Sequence, residues 1–68
     1  MNYKNILVSV IIPNYKRCQE LKRALTSVIN QTFNNLEILV IDDCSPNFKE
    51  IESVVDGFKD CRITLIRQ

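Results

Sequence analysis

The sequence predicts an α/β fold, a β-α-β-α-β chain forming one half of a doubly wound parallel sheet. Three observations carry that reading. Two apolar runs rich in Val and Ile, at 6–12 and 36–41, have the length of strands. The segments that follow them repeat apolar residues at helical spacing. The second run contains Ile38-Leu39-Val40-Ile41 without a polar break and closes on two adjacent carboxylates, Asp42-Asp43. An unbroken apolar run is the pattern of a strand buried on both faces, as in parallel sheets.

The elements follow in order. The first strand covers about 6–12, and Pro13 is expected to end it. The first helix covers about 18–30. Cys18, Leu21, Leu25, Val28 and Ile29 form its apolar stripe, with Ala24 on the same face. Thr32 to Asn35 is a break, polar apart from Phe33, and the second strand follows at about 36–41. Ser45-Pro46 reads as an N-cap followed by the first helical position, because serine can satisfy an orphan amide and proline needs no donor there. The second helix then covers about 47–57, with Phe48, Ile51, Val54, Val55 and Phe58 inward. Gly57 or the Lys59-Asp60 turn is expected to stop it. The third strand covers about 62–67. Three strands and two helices leave sheet edges and one face thinly covered, so the chain reads as the amino-terminal piece of a larger domain.

Composition narrows the function. A chain of 68 residues allows one domain, and one of this size buries only about 60% of its unfolded surface. The net charge of +1 gives no footprint for DNA or RNA. Cys18, Cys44 and Cys61 form no CxxC pair, and the chain has no histidine, so neither a zinc site nor a disulfide framework is expected. A reducing compartment fits this usage. Each thiol reads first as a small semi-buried hydrophobe, and the carboxylates beside Cys44 disfavour a reactive thiolate there. The run 6–12 is too short for a membrane span and lacks a cleavage site.

The chemistry is expected at the carboxyl ends of the strands, where open α/β sheets bind ligands. Pro13-Asn14-Tyr15-Lys16-Arg17 follows the first strand and Asp42-Asp43-Cys44-Ser45 the second. The first segment has no glycine, which excludes both a dinucleotide-binding turn and a Walker A loop there. In place of glycine stands Tyr15, whose ring can stack on a base, with Lys16 and Arg17 able to face phosphate oxygens. Cations at a helix amino terminus oppose the helix dipole, a cost an anionic ligand would offset. Structural readings stand beside these. The acids can open the turn before the second helix, Tyr15 can pack over the first helix, and Lys16-Arg17 can be a solvated face. Asn14 and Ser45 can be caps. Without histidine, no Ser-His-Asp arrangement can form.

These segments together resemble the start of family 2 glycosyltransferases. The resemblance runs through Val8-Ser9-Val10-Ile11-Ile12-Pro13-Asn14-Tyr15-Lys16-Arg17, then Leu21 through Ser27 to Phe33, then Glu37 to Ser45, and it covers nearly the whole chain. It implies a GT-A fold, whose Rossmann-like half binds the nucleotide of a sugar donor linked to UDP, GDP or dTDP. The implied reaction moves the sugar to a carbohydrate or lipid-linked acceptor, in most members with inversion, in polysaccharide or glycoconjugate assembly. Pro13, Asn14 and Tyr15 look like the first donor loop. Asp43 looks like the acid that hydrogen-bonds the nucleobase, and Asp42 like a support for the turn. Arg17 matches a position often basic in the family. A divalent cation, Mn or Mg, is implied for the complete enzyme. Its Asp-x-Asp ligands and the catalytic base are expected beyond Gln68, so the segment alone should not catalyse. The resemblance further implies a cytoplasmic enzyme, with the inner face of the membrane as a candidate place of work. The chain departs from the family at Cys44, usually glycine or asparagine, and at Pro46-Asn47, often Thr-Asp.

Two other classes compete. A phospho-acceptor receiver domain is also doubly wound, but its acid pair should follow the first strand, which here ends in proline. A non-catalytic binding module would keep the fold without the chemistry.

Overall fold

A computed structural model of the chain describes residues 7–31 and 35–68. The elements are β1 (Val8–Asn14), α1 (Cys18–Ile29), β2 (Leu36–Asp42), α2 (Phe48–Gly57) and β3 (Ile63–Arg67). The strands form one sheet in the order β1-β2-β3, both pairs parallel. The expected α/β architecture is therefore present, in an arrangement that fits part of a Rossmann-like half. The expected strand start at Ile6 and most of the break at 32–34 lie outside the described residues.

Both helices pack on one face of the sheet. Leu21 and Leu25 of α1, Ile51 and Val55 of α2, and Ile38 and Val40 of β2 form a continuous core. Ile12, Ile63 and Leu65 close it from the flanking strands. The two helical stripes thus meet over the central strand, and hydrophobic burial there supplies most of the driving force. Among the described residues, no helix covers the opposite face. Ile11 is 60% exposed and Ile66 40%.

That asymmetry corrects the reading of β2 as a strand buried on both faces. Its burial alternates: Leu36, Ile38, Val40 and Asp42 are buried, while Glu37, Leu39 and Ile41 are half-buried. The stretch Ile38 to Ile41 is apolar throughout, yet only one face is covered among the described residues.

β1 does not end at Pro13 and runs on to Asn14. The Val8 amide donates to the Asn35 carbonyl at 3.0 Å, and the Asn14 carbonyl accepts from the Asp43 amide at 2.9 Å. Even-numbered residues of β1 therefore turn their polar groups toward β2. Pro13 lies between them, with its missing donor on the outer edge, where a strand tolerates proline.

Helix α2 also starts differently from expectation. Asn47, not Ser45, holds the N-cap position, and it makes no side-chain cap bond. Ser45 is committed elsewhere, as described below. Nor is Gly57 the stop. The helix closes through the Phe58 and Lys59 amides onto the carbonyls of Val55 and Asp56, and Lys59 takes the left-handed conformation with φ of 50°. Asp60 then staples the turn into β3. Its carboxylate accepts the Arg62 amide and Nε at 3.0 Å and Nη2 at 2.7 Å.

Two outcomes follow. Gly57 is helical and a Cβ there would meet nothing within 4 Å. Gly57→Ala should therefore raise the urea unfolding free energy by about 0.5–1 kcal/mol, by restricting the unfolded chain. The bonds and charge of Arg62 hold the Asp60 carboxyl at about 2, against 3.8 ordinarily. Folded Asp60 binds fewer protons than unfolded Asp60 between those values. Its contribution is thus complete above the ordinary value and disappears as pH falls through the folded one. Urea midpoints followed down the acid range should fall less steeply in Asp60→Asn than in wild type.

Candidate functional site

The carboxyl ends of the three strands are aligned. Asn14 pairs with Asp42 and Asp42 with Arg67 across the sheet. Asp42 lies on the helix-covered side and is 0% exposed. A buried carboxylate is costly unless its lone pairs are used. Here Oδ1 accepts the Ser45 hydroxyl at 2.6 Å and the Asn14 side-chain amide at 3.2 Å, while Oδ2 accepts the Ser45 amide at 2.8 Å. Burial pushes the carboxyl upward in pKa. The bonds from Ser45 and Asn14 and the charge of Arg67 outweigh that push, and the net shift is downward. Arg67 is itself stacked over the Phe48 ring, 4.6 Å from its centre.

The same network joins the loops after β1 and β2. The Ser45 hydroxyl, also fully buried, accepts the Lys16 amide at 2.8 Å. The Asp43 amide donates to the Asn14 carbonyl, and the Gln68 amide to the Asp42 carbonyl, both at 2.9 Å. Each loop also contains a left-handed residue, Lys16 with φ of 61° and Cys44 with φ of 54°. These turn the chain sharply just beyond the strand ends.

The result is an open cleft of about 530 Å³, lined by Pro13, Asn14, Tyr15, Arg17, Ile41, Asp43 and Gln68. Five of the residues singled out from sequence, Pro13, Asn14, Tyr15, Arg17 and Asp43, share this surface. The sixth, Asp42, does not line it and lies beneath as a support for the turn. Asp43 is exposed, and among the described residues its carboxylate makes no hydrogen bond or ion pair, so both oxygens are available to a ligand. Tyr15 is 48% exposed. Lys16 does not line the cleft. Its ammonium sits 5.1 Å from the centre of the Tyr15 ring. Arg17 takes the N-cap position of α1 without a side-chain bond to its amides.

Ser45 and Gln68 were not singled out from sequence as site residues. The signal for Ser45 was the Asp-x-x-Ser spacing, in which an aspartate side chain accepts the amide three residues on. Among the described residues no three His, Cys, Asp or Glu side chains gather as metal ligands, and no helix is long and apolar enough to cross a membrane. The three cysteines are free.

Residues 9–68 match the pattern of glycosyl transferase family 2. The chain belongs to that family. Family 2 relatives include a putative colanic acid biosynthesis glycosyl transferase, WcaA, of Escherichia coli K12, 37% identical over 91% of this chain and 22% of its own length. The UDP-Glc:alpha-D-GlcNAc-diphosphoundecaprenol beta-1,3-glucosyltransferase WfgD of Escherichia coli is 40% identical over 88% of this chain and 23% of its own. An uncharacterized glycosyltransferase of Haemophilus influenzae is 41% identical over 90% and 19% respectively. The chain therefore spans about a fifth of the length of these relatives.

The turn gives Cys44 its physical reading. Glycine and asparagine enter the left-handed region most readily, and here a cysteine holds it. Cys44 is exposed. Cys44→Gly should stabilise the folded domain by about 0.5–1 kcal/mol in urea titration, by relieving the φ of 54°. An unchanged or lower midpoint would show that the turn carries no such strain.

Proposed function

We propose that this domain holds the nucleotide of a nucleotide-diphospho-sugar donor for glycosyl transfer in polysaccharide or glycoconjugate biosynthesis. The observation that carries the proposal is the cleft, which puts an aromatic ring, a guanidinium and a carboxylate on one surface at the strand ends, the carboxylate unbonded among the described residues. The chemistries match the parts of such a donor. Asp43 accepts hydrogen bonds from nucleobase N–H groups, Tyr15 stacks on the base, and Arg17 faces the diphosphate. Asn14 and Pro13 shape the wall through the backbone. Ile41 gives the cleft an apolar floor.

The relative WfgD is named for a UDP-linked donor and a diphosphoundecaprenol acceptor. We extend both classes to this protein, a nucleotide-sugar donor with UDP first among the candidates and a lipid-linked or carbohydrate acceptor. Such an acceptor favours work at the cytoplasmic face of the membrane. A divalent cation would neutralise the leaving diphosphate. The residues described here do not fit it, because Ser45 and Asn14 use both oxygens of Asp42 and leave Asp43 alone. Its ligands and the base that deprotonates the acceptor are assigned to sequence outside these residues.

Titration calorimetry of the full-length protein with UDP, GDP and dTDP tests the proposal. One nucleotide should bind, and Asp43→Ala should weaken it about tenfold or more, the worth of a charge-assisted hydrogen bond. Equal affinity in Asp43→Ala would remove Asp43 from the site, and no binding of any of the three would sink the donor reading.

A further inference from the structure

We propose that Ser45 is a positioning residue that sets the spacing between Tyr15 and Asp43, and so controls nucleotide affinity without touching the ligand. The inference rests on the donor reading above and adds a residue that the cleft does not expose.

Tyr15 and Asp43 reach the cleft from different loops, so their separation depends on what ties the loops together. Asp43 is held close to β1, because its amide bonds the Asn14 carbonyl at 2.9 Å. Tyr15 lies beyond the end of β1 and has no such anchor. Among the described residues, the one hydrogen bond made by Tyr15 or Lys16 is from the Lys16 amide to the Ser45 hydroxyl, at 2.8 Å. Lys16 needs an anchor for a second reason. Its φ of 61° lies in the left-handed region, which lysine does not favour unaided. If the bond is lost, Lys16 is free to leave that conformation, and the residues on either side, Tyr15 and Arg17, turn with it. Both line the cleft.

The anchor is also rigid. The Ser45 hydroxyl accepts from Lys16 while donating to Asp42 at 2.6 Å, and the Ser45 amide donates to the other oxygen of the same carboxylate at 2.8 Å. Ser45 is fully buried, so water does not compete for these bonds. The position of the Lys16 amide is thereby referred to Asp42, the residue immediately before Asp43. Ring and acid share one reference point.

The test uses the full-length protein and the nucleotide that wild type binds among UDP, GDP and dTDP. Ser45→Ala should raise Kd about tenfold, and Ser45→Thr, which keeps the hydroxyl, should stay within about threefold of wild type. In a Tyr15→Ala background, Ser45→Ala should add less than about twofold, because its effect runs through the ring. Thermal melting identifies the folded variants. If Ser45→Ala does not fold, Ser45→Cys is read in the same way, since a thiol is small but a weak acceptor. Equal affinity in wild type and the folded variant overturns the inference. So does a tenfold loss that persists without the Tyr15 ring, which would mark a general structural role. Wild type that binds none of the nucleotides would overturn the donor reading instead. The joint itself is then judged by hydrogen exchange at the Lys16 amide, which should accelerate in Ser45→Ala, and an unchanged rate would dismiss Ser45 as its anchor.

Discussion

The buried carboxylate of Asp42 is the constraint on which the rest of this domain's working end depends. A charge excluded from water survives only if donors replace the lost hydration. Those donors come from Ser45, three residues on, and from Asn14, on the neighbouring strand. Satisfying one charge therefore fixes the turn after β2, ties it to the end of β1, and through Ser45 reaches the loop that carries Tyr15. The apolar core beneath is general in character, and many residue combinations could fill it. The polar cluster above it is specific, because each member has one geometry in which its bonds are made.

The two faces of the sheet divide the work. Both helices lie on the side of Asp42, Ile38 and Val40, and the core sits there. Pro13 and Ile41, which line the cleft, belong to the other side. The domain builds its core on one side and opens its cleft at the rim of the other. Adjacent acids end up in different environments because successive residues of a strand point to opposite faces.

Periodicity read the architecture well, and particular residues show where it stopped. Strand and helix identities followed from apolar spacing because burial over β2 imposes that spacing. Pro13 misplaced the end of β1, since proline stops a strand only where its donor is needed, and the direction of hydrogen bonding in β1 is a tertiary fact. Ser45-Pro46 looked like a helix start, but a serine cannot cap a helix while it serves Asp42, and the partnership depends on how the loop folds. Among the described residues, the left-handed conformations fell on Lys16, Cys44 and Lys59, not on the only glycine, Gly57. Nothing in those side chains announces them. Asp43, Tyr15, Asn14, Pro13 and Arg17 were legible as a group because residues at and just beyond adjacent strand ends must converge. The depth of Asp42 was not legible from composition, since two like residues in sequence carry no mark of which faces inward.

That difference in depth has a consequence for how such a domain can diversify. Position 42 answers to the fold, since its carboxylate is buried and holds Ser45 and Asn14. Position 43 faces the cleft, and among the described residues its side chain makes no internal bond. A substitution at 42 disturbs the loops themselves, whereas one at 43 changes the chemistry of the cleft wall. Two adjacent residues of one type can therefore vary independently.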